Sequence, residues 1–198
     1  FFLLIATTQP LDDFFFDPAY RHLMGSSRDG KAMVVNLNVG RNIKRLEIPG
    51  LPHLGSGITW TWNGRPVMAT PHLKAGRLSV IDMQDWQVVK SIETPGPGFF
   101  MRSHENSPFA WTDAMLSPRK DTMAIIDKRT LEVVRTVTPA PGKTAAHVEF
   151  DKTGRHVLVS VWEMDGALVI YDATTFAEVK RIPMARPSGK YNVWNKVT

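Results

Sequence analysis

Residues 168–182 read LVIYDATTFAEVKRI: an apolar strand, an aspartate, a short polar turn and a second strand carrying a basic residue. The pattern recurs as AMVVNLNVGRNIKRLEI (32–48), LSVIDMQDWQVVKSIE (78–93) and MAIIDKRTLEVVRTV (123–137). The acidic or amide position moves in steps of 46, 45 and 45 residues, through Asn36, Asp82, Asp127 and Asp172. A basic residue follows eight positions later each time, at Lys44, Lys90, Arg135 and Lys180. A repeat of this length predicts stacked four-stranded units, as in a β-propeller.

Each repeat divides into four short strands, a to d. In the last repeat we predict them at 146–150, 156–162, 167–171 and 177–182, with the hairpin signals DKTG and MDG after strands a and b. The first repeat is expected to have lost or altered its strand a. Because no stretch has a sustained helical period, the predicted fold is all-β, a β-propeller with about four four-stranded blades.

Four blades in an open array would leave sheet edges exposed, which propellers avoid by closing into a ring. Residues 1–198 are therefore predicted to be one partial propeller domain, with an extra inner strand at GKYNVWNK (189–196). The remaining blades would come from another part of the native chain or from a second chain. The chain begins with Phe1 rather than Met, which we interpret as a processed or excised piece.

The composition of the chain argues against several classes of function. With 43% hydrophobic and 22% charged residues, the chain has ordinary globular composition. The net charge of +5 is not gathered into a basic run, so nucleic acid binding is not expected. The chain has no cysteine and hence no disulfide, thiolate metal site or c-type haem attachment. No apolar run reaches the ~18 residues of a membrane helix.

The repeat also predicts a site, because loops joining strand d to the next strand a lie at one end of a propeller. Four ionisable or phenolic residues follow the acidic or amide position by 17, 22, 20 and 19 residues: His53, His104, His147 and Tyr191. His72 lies in a b–c connection, ATPHLKAGR, that should open at the same end. We predict a ring of these side chains around the propeller axis.

Simpler interpretations exist for single residues. A lone histidine near a strand is more often a surface or hydrogen-bonded core residue, and His22 and His156 are predicted to be structural. Arg102 and Lys190 lie within two residues of His104 and Tyr191, where they would suit an acidic ligand. Inter-blade packing is the predicted role of five tryptophans: Trp60, Trp62, Trp111, Trp162 and Trp194.

Several segments resemble the d1 domain of the cytochrome cd1 nitrite reductase family. They are PHLGSG (52–57), VMATPHL (67–73), RSHENSPFAWTDA (102–114), HVEFDKTGRHVLVSVW (147–162) and RPSGKYNVWNK (186–196), which together span nearly the whole chain. The resemblance implies the C-terminal half of an eight-bladed propeller that binds haem d1 on its axis. The histidine in AHVEF (146–150) is more similar to the dihydro-haem d1 dehydrogenases of this family than to its nitrite reductases.

The resemblance also implies residue roles. His147 corresponds to the catalytic base of the dehydrogenases, and Tyr191 lines the same pocket. His53 corresponds to a distal-side histidine facing the haem iron. Further cofactor contacts are implied at His104, Arg102, His72, Ser188 and Lys190.

The implied function is an oxidoreductase acting on haem d1 or dihydro-haem d1, with oxidation of a propionate side chain to an acrylate. One alternative is nitrite reduction, with His53 and His104 donating protons to nitrite; another is a non-catalytic haem d1 carrier or propeller scaffold. The implied partners are a tetrapyrrole, the missing half of the propeller and an electron-transfer partner. Haem c is expected in a domain outside this chain, and the location is expected to be periplasmic.

Overall fold

The computed structural model describes residues 5–7 and 10–188, and these form four antiparallel sheets of four strands each. Blade 1 contains β1 (Asp13–Phe16), β2 (His22–Ser26), β3 (Lys31–Asn36) and β4 (Arg41–Glu47). Blade 2 contains β5 (Ile58–Trp62), β6 (Arg65–Pro71), β7 (Arg77–Asp82) and β8 (Gln87–Glu93). Blade 3 contains β9 (Met101–Ser103), β10 (Phe109–Asp113), β11 (Met123–Asp127) and β12 (Glu132–Val137). Blade 4 contains β13 (Ala145–Phe150), β14 (His156–Val161), β15 (Ala167–Asp172) and β16 (Glu178–Pro183).

In every blade the strands pair in chain order, a to d, so the predicted all-β architecture of four-stranded blades is confirmed. Among the described residues the helical structure is a single 3₁₀ turn, Leu54–Ser56. No helix in the described part of the chain is long and apolar enough to cross a membrane. The extra inner strand predicted at 189–196 lies outside the described residues.

Strand a of the first blade was expected to be lost or altered, and this expectation is wrong. β1 pairs with β2 in regular antiparallel register, from Asp13 opposite Ser26 to Phe16 opposite Leu23. The sequence DFFF hides the strand because three consecutive phenylalanines give no alternation of apolar and polar residues. This strand supplies a carboxylate, that of Asp13, to the candidate site.

The repeated acidic or amide residue builds the turn between strands c and d. Its side chain accepts backbone N–H groups two or three residues later, as Asp172 does from Thr174 (2.9 Å) and Thr175 (2.7 Å). The residue four positions later has positive φ in all four blades: Gly40, Trp86, Leu131 and Phe176, at 64°, 51°, 58° and 62°. A β-bulge precedes each turn. The repeat is therefore a turn signal, and its basic residue lies on strand d, exposed in three of the four blades.

The core lies between neighbouring blades. Trp111 of blade 3 is 0% exposed, and its ring centroid is 5.5 Å from that of Tyr171 in blade 4. Trp60 and Trp62 of blade 2 donate their indole N–H groups to the carbonyls of Lys128 (3.1 Å) and Arg129 (2.9 Å) of blade 3. Inter-blade packing is thus confirmed for these three tryptophans, whereas Trp194 lies outside the described residues.

Candidate functional site at the start of the inner strands

A continuous row of rings lies at the end of the propeller where the inner strands, which are the a strands of the blades, begin. His53 precedes β5, Phe99 and Phe100 precede β9, and His147 lies in β13. Neighbouring ring centroids are 4.1 Å apart for His53 and Phe99, 4.7 Å for Phe99 and Phe100, and 4.2 Å for Phe100 and His147. Three blades thereby contribute to one surface, here called the aromatic row, with an imidazole at each end.

Asp13 of β1 orients His53. The Nδ1 atom of His53 donates to Oδ2 of Asp13 at 2.7 Å. Burial alone would raise the pKa of Asp13, but the hydrogen bonds from His53 and from the backbone N–H groups of Gly55 and Phe14 lower it below its usual 3.8. An ionised carboxylate can only accept, so Nδ1 carries the proton and Nε2 is left to bind a metal or take a proton.

His147 lies in a distorted part of its strand. Its φ is 52°, a left-handed value that is strained for a residue with a side chain, and the register with β14 shifts between Ala146 and Glu149. A bulge of this kind redirects a side chain out of the regular alternation. The His147 ring packs against Phe100 and, edge-on at 5.6 Å, against Trp162.

Trp162 departs from its predicted role. It follows the last residue of β14 in the same blade as His147, and it is 40% exposed. The prediction that it packs between blades is wrong, because its ring borders the candidate site instead.

His104 also departs from its prediction. It follows β9, so it lies in an a–b turn, at the opposite end of the blade from the loop that carries His53. The ring is 3% exposed, its Nδ1 accepts the N–H of Asn106 (3.1 Å), and its Nε2 donates to the carbonyl of Lys152 (3.2 Å). The prediction that His104 shares a face with His53 is wrong: 22 residues from Asp82 carry the chain past β9, whereas 17 residues from Asn36 end in the loop before β5.

His72 lies at the predicted end of the propeller but is 0% exposed. Its Nδ1 donates to the carbonyl of Pro49 (3.1 Å), and its Nε2 accepts from the hydroxyl of Ser79 (2.9 Å). Burial, with a smaller contribution from Arg77, lowers its pKa to about 4. A neutral, enclosed ring with both nitrogens engaged cannot contact a cofactor, so that prediction is corrected to a structural role.

The buried state of His72 predicts a pH effect on stability. The unfolded chain binds a proton near the usual pKa of 6.5, whereas the folded protein binds it only near 4. The free energy of unfolding should therefore fall as pH drops through this window, by at most about 1.4 kcal/mol per pH unit from this group. Urea unfolding of wild type and His72→Gln at pH 7 and pH 5 measures it. An equal loss in both proteins would contradict the assignment.

Arg102 lies on β9, two residues beyond Phe100 in the direction of His104. Its Nε is 3.6 Å from Oε2 of Glu149 on the neighbouring inner strand β13. Both residues line a cleft of about 900 Å³ that runs along the inner strands between blades 2 and 3. The contact of Arg102 with a cofactor stays a prediction. In this structure the guanidinium of Arg102 is paired with the carboxylate of Glu149.

The remaining predicted positions can be placed only in part. Ser188 is exposed at the end of the described residues, and Lys190 and Tyr191 lie outside them. His22 and His156 each donate Nδ1 to an aspartate five residues earlier, at 3.0 and 2.8 Å, as expected of structural histidines.

Comparison with known proteins decides the family. The sequence matches the profile of the Cytochrome D1 heme domain over residues 4–196. The chain belongs to this family. The resemblance inferred from its motifs is thereby confirmed.

Individual relatives add detail to the membership in the Cytochrome D1 heme domain family. The chain is 53% identical to the dihydro-heme d1 dehydrogenase of Pseudomonas aeruginosa, over 98% of this chain and 39% of that protein. It is 29% identical to Protein NirF of the same organism, over 76% of this chain and 36% of NirF. The chain thus spans well under half of the curated relatives it matches.

Solved structures agree with the blade architecture of this d1 domain chain. It superposes on dihydro-heme d1 dehydrogenase NirN in complex with DHE with a TM-score of 0.94 and 53% identity, over 98% of this chain and 42% of that one. Hydrazine synthase of Kuenenia stuttgartiensis matches with a TM-score of 0.72 over 93% of this chain and 52% of that one. At 15% identity this second match shows a shared fold alone.

Sequence reasoning missed four residues of the site in this d1 domain: Asp13, Phe99, Phe100 and Asp113. Asp13 lies in the strand that the sequence concealed, and the phenylalanines carry no charge that would mark them. Asp113 ends a buried strand, and its carboxylate engages main-chain groups of the loop that precedes β9. The segment PGPGFF (95–100) offered one signal, because two adjacent aromatic residues there follow a turn sequence.

Proposed function

We propose that the chain is part of a dihydro-haem d1 dehydrogenase, which oxidises a propionate side chain of the tetrapyrrole to an acrylate. The observation that carries the proposal is the aromatic row, with one imidazole at each end. The 53% identity of the chain to a dihydro-heme d1 dehydrogenase supports the substrate class.

The aromatic row fits a flat macrocycle with a central iron and peripheral carboxylates. Such a ligand would be held by a nitrogen donor for its iron and an apolar wall, and its oxidation would need a base near the reacting side chain. His53 offers Nε2 as the nitrogen, because Asp13 holds its other nitrogen protonated. Phe99 and Phe100 supply the wall, and His147 lies beyond them at the far end of the row.

The chemistry assigns a separate role to His147. Conversion of –CH₂–CH₂–COO⁻ to –CH=CH–COO⁻ releases two protons and two electrons. The imidazole of His147 takes one proton from the side-chain carbon, since a neutral imidazole is an effective base near neutral pH, and the second proton passes to solvent water. The electrons leave to a separate electron-transfer protein, and Tyr191 orients the reacting side chain.

The rest of the proposal concerns what lies beyond this chain. Further blades, supplied by the same protein or by a second chain, would complete an eight-bladed ring. Exposed apolar side chains on β1 of the first blade support ring closure, since Phe14 is 55% and Phe16 is 38% exposed. A haem c domain would carry electrons, and the protein would act in the periplasm.

Nitrite reduction is less compatible with the geometry. It would use His53 and His104 as a pair of proton donors, but the two rings lie at opposite ends of their blades. The enclosed His104 ring already donates to Lys152 and accepts from Asn106. The site therefore favours the dehydrogenase.

The proposal is tested with the complete protein, dihydro-haem d1 and a soluble electron acceptor. We expect the visible spectrum to change to that of haem d1, and the tetrapyrrole to lose the mass of two hydrogen atoms. Nitrite turnover by the reduced, haem d1-loaded protein should stay near background. Binding without conversion would overturn the proposal in favour of a carrier, and absence of binding in favour of a scaffold.

A further inference from the structure

A buried carboxylate outside the predicted site fixes the backbone of the aromatic row. Asp113, the last residue of β10, is 1% exposed. Its Oδ1 accepts the N–H of Phe99 at 2.8 Å, and its Oδ2 accepts the N–H of Phe100 at 2.9 Å. Oδ1 also lies 3.3 Å from the N–H of Met115.

The two residues that Asp113 fixes are those that separate the imidazoles. Phe99 contacts His53, and Phe100 contacts His147. Because both oxygens are occupied by consecutive backbone N–H groups, the Phe99–Phe100 peptide cannot rotate without breaking a charge-assisted hydrogen bond. One carboxylate therefore sets the position of both rings against which the histidines pack.

The close packing around Asp113 limits relaxation at this point. A Cβ added at Gly98 would lie 2.3 Å from the carbonyl oxygen of Asp113, so the chain reaches Phe99 through a space that admits only glycine. Burial raises the pKa of Asp113 to about 6, against the opposing effect of its backbone hydrogen bonds. Burial of a carboxylate costs free energy, so its presence here indicates that the fold requires a defined geometry of this loop.

We infer that Asp113 is a positioning residue for the proposed oxidation: it sets the placement of His53 and His147 through the backbone of Phe99 and Phe100. This inference rests on the proposed function. Asp113 does not touch the substrate, and it acts on catalysis through the rings that it holds in place.

The test compares Asp113→Asn with Asp127→Asn in the complete protein. Asparagine keeps the shape but loses one acceptor, so one of the two N–H groups is left without a partner. We expect kcat for conversion to fall by about 10- to 100-fold, as for other small misplacements of reacting groups, with KM changed less than about threefold. Asp127 is a matched control, because it is also buried and accepts the N–H of Arg129 (2.8 Å) in a c–d turn. Its variant should keep the wild-type kcat.

A spectroscopic measurement separates positioning from a general loss of stability. With ¹³C-labelled histidine, the ring resonances of His53 and His147 should both move in Asp113→Asn and stay in place in Asp127→Asn. If Asp113→Asn does not fold, Phe99→Leu and Phe100→Leu take its place. The first should move the His53 resonance, and the second should move that of His147 and lower kcat.

The outcomes are distinct. Unmoved resonances, with kcat within about threefold of wild type in Asp113→Asn, would overturn the inference. The same result in both leucine variants would overturn it where the aspartate variant is unfolded. If the wild-type protein itself converts no dihydro-haem d1, the proposed function fails, whereas the histidine resonances still decide whether Asp113 positions the two rings.

Discussion

Replacing His147 by alanine should abolish the oxidation of dihydro-haem d1 while binding of the tetrapyrrole remains measurable. Loss of a positioned general base typically lowers a rate by about 10²- to 10⁴-fold. Binding should survive, because His53 and the two phenylalanines that form the wall are unchanged. The measurement is the rate of spectral conversion at saturating substrate, together with a binding titration.

Two further variants make the result specific. His147 has a φ of 52°, so alanine there keeps the backbone strain whereas glycine removes it. His147→Gly should be as inactive as His147→Ala and at least as stable. His156→Ala, in the next strand of the same blade, changes a histidine that pairs with Asp151 and should keep full activity. Undiminished conversion by His147→Ala would refute its role as the base.

Replacing Trp111 by alanine should produce a large loss of stability. Its side chain is fully buried between blades 3 and 4, where it meets Tyr171 and Phe176. A cavity of this size typically costs about 3–5 kcal/mol in the free energy of unfolding. Urea unfolding followed by circular dichroism measures the difference.

Trp111→Phe is the matched control. The indole N–H of Trp111 has no hydrogen-bond partner, so phenylalanine removes a buried polar group as well as some apolar volume. We expect Trp111→Phe to cost clearly less than Trp111→Ala. Trp162→Ala, which removes a 40% exposed side chain, should cost about 1 kcal/mol or less. Equal losses in all three variants would show that Trp111 does not anchor the two blades.

The fold could be predicted because its signal is local. An aspartate or asparagine that accepts N–H groups two or three residues later sets each c–d turn, and the repetition of this turn marks each blade. The failure at β1 is also local, since Phe14 and Phe16 point outward on a strand without alternating polarity.

The site was predictable only in part. Spacing and resemblance indicated His53 and His147, which the structure brings to the two ends of one row. The same reasoning included His104 and His72. His104 lies in the turn after β9, at the opposite end of its blade, and the ring of His72 is buried. Counting residues from a turn gives position along the chain, but it gives neither the length of the intervening loop nor the burial of a ring.

The sequence by itself therefore determined the blade architecture and the family, because turn chemistry and motifs act over a few neighbouring residues. Only the tertiary structure decided how the site is held. Asp13 reaches His53 across 40 residues of chain, and Asp113 fixes a loop 13 and 14 residues earlier. The first contact depends on how two blades pack together, and the second on how β10 pairs with β9 within one blade. Neither leaves a periodic trace in the sequence.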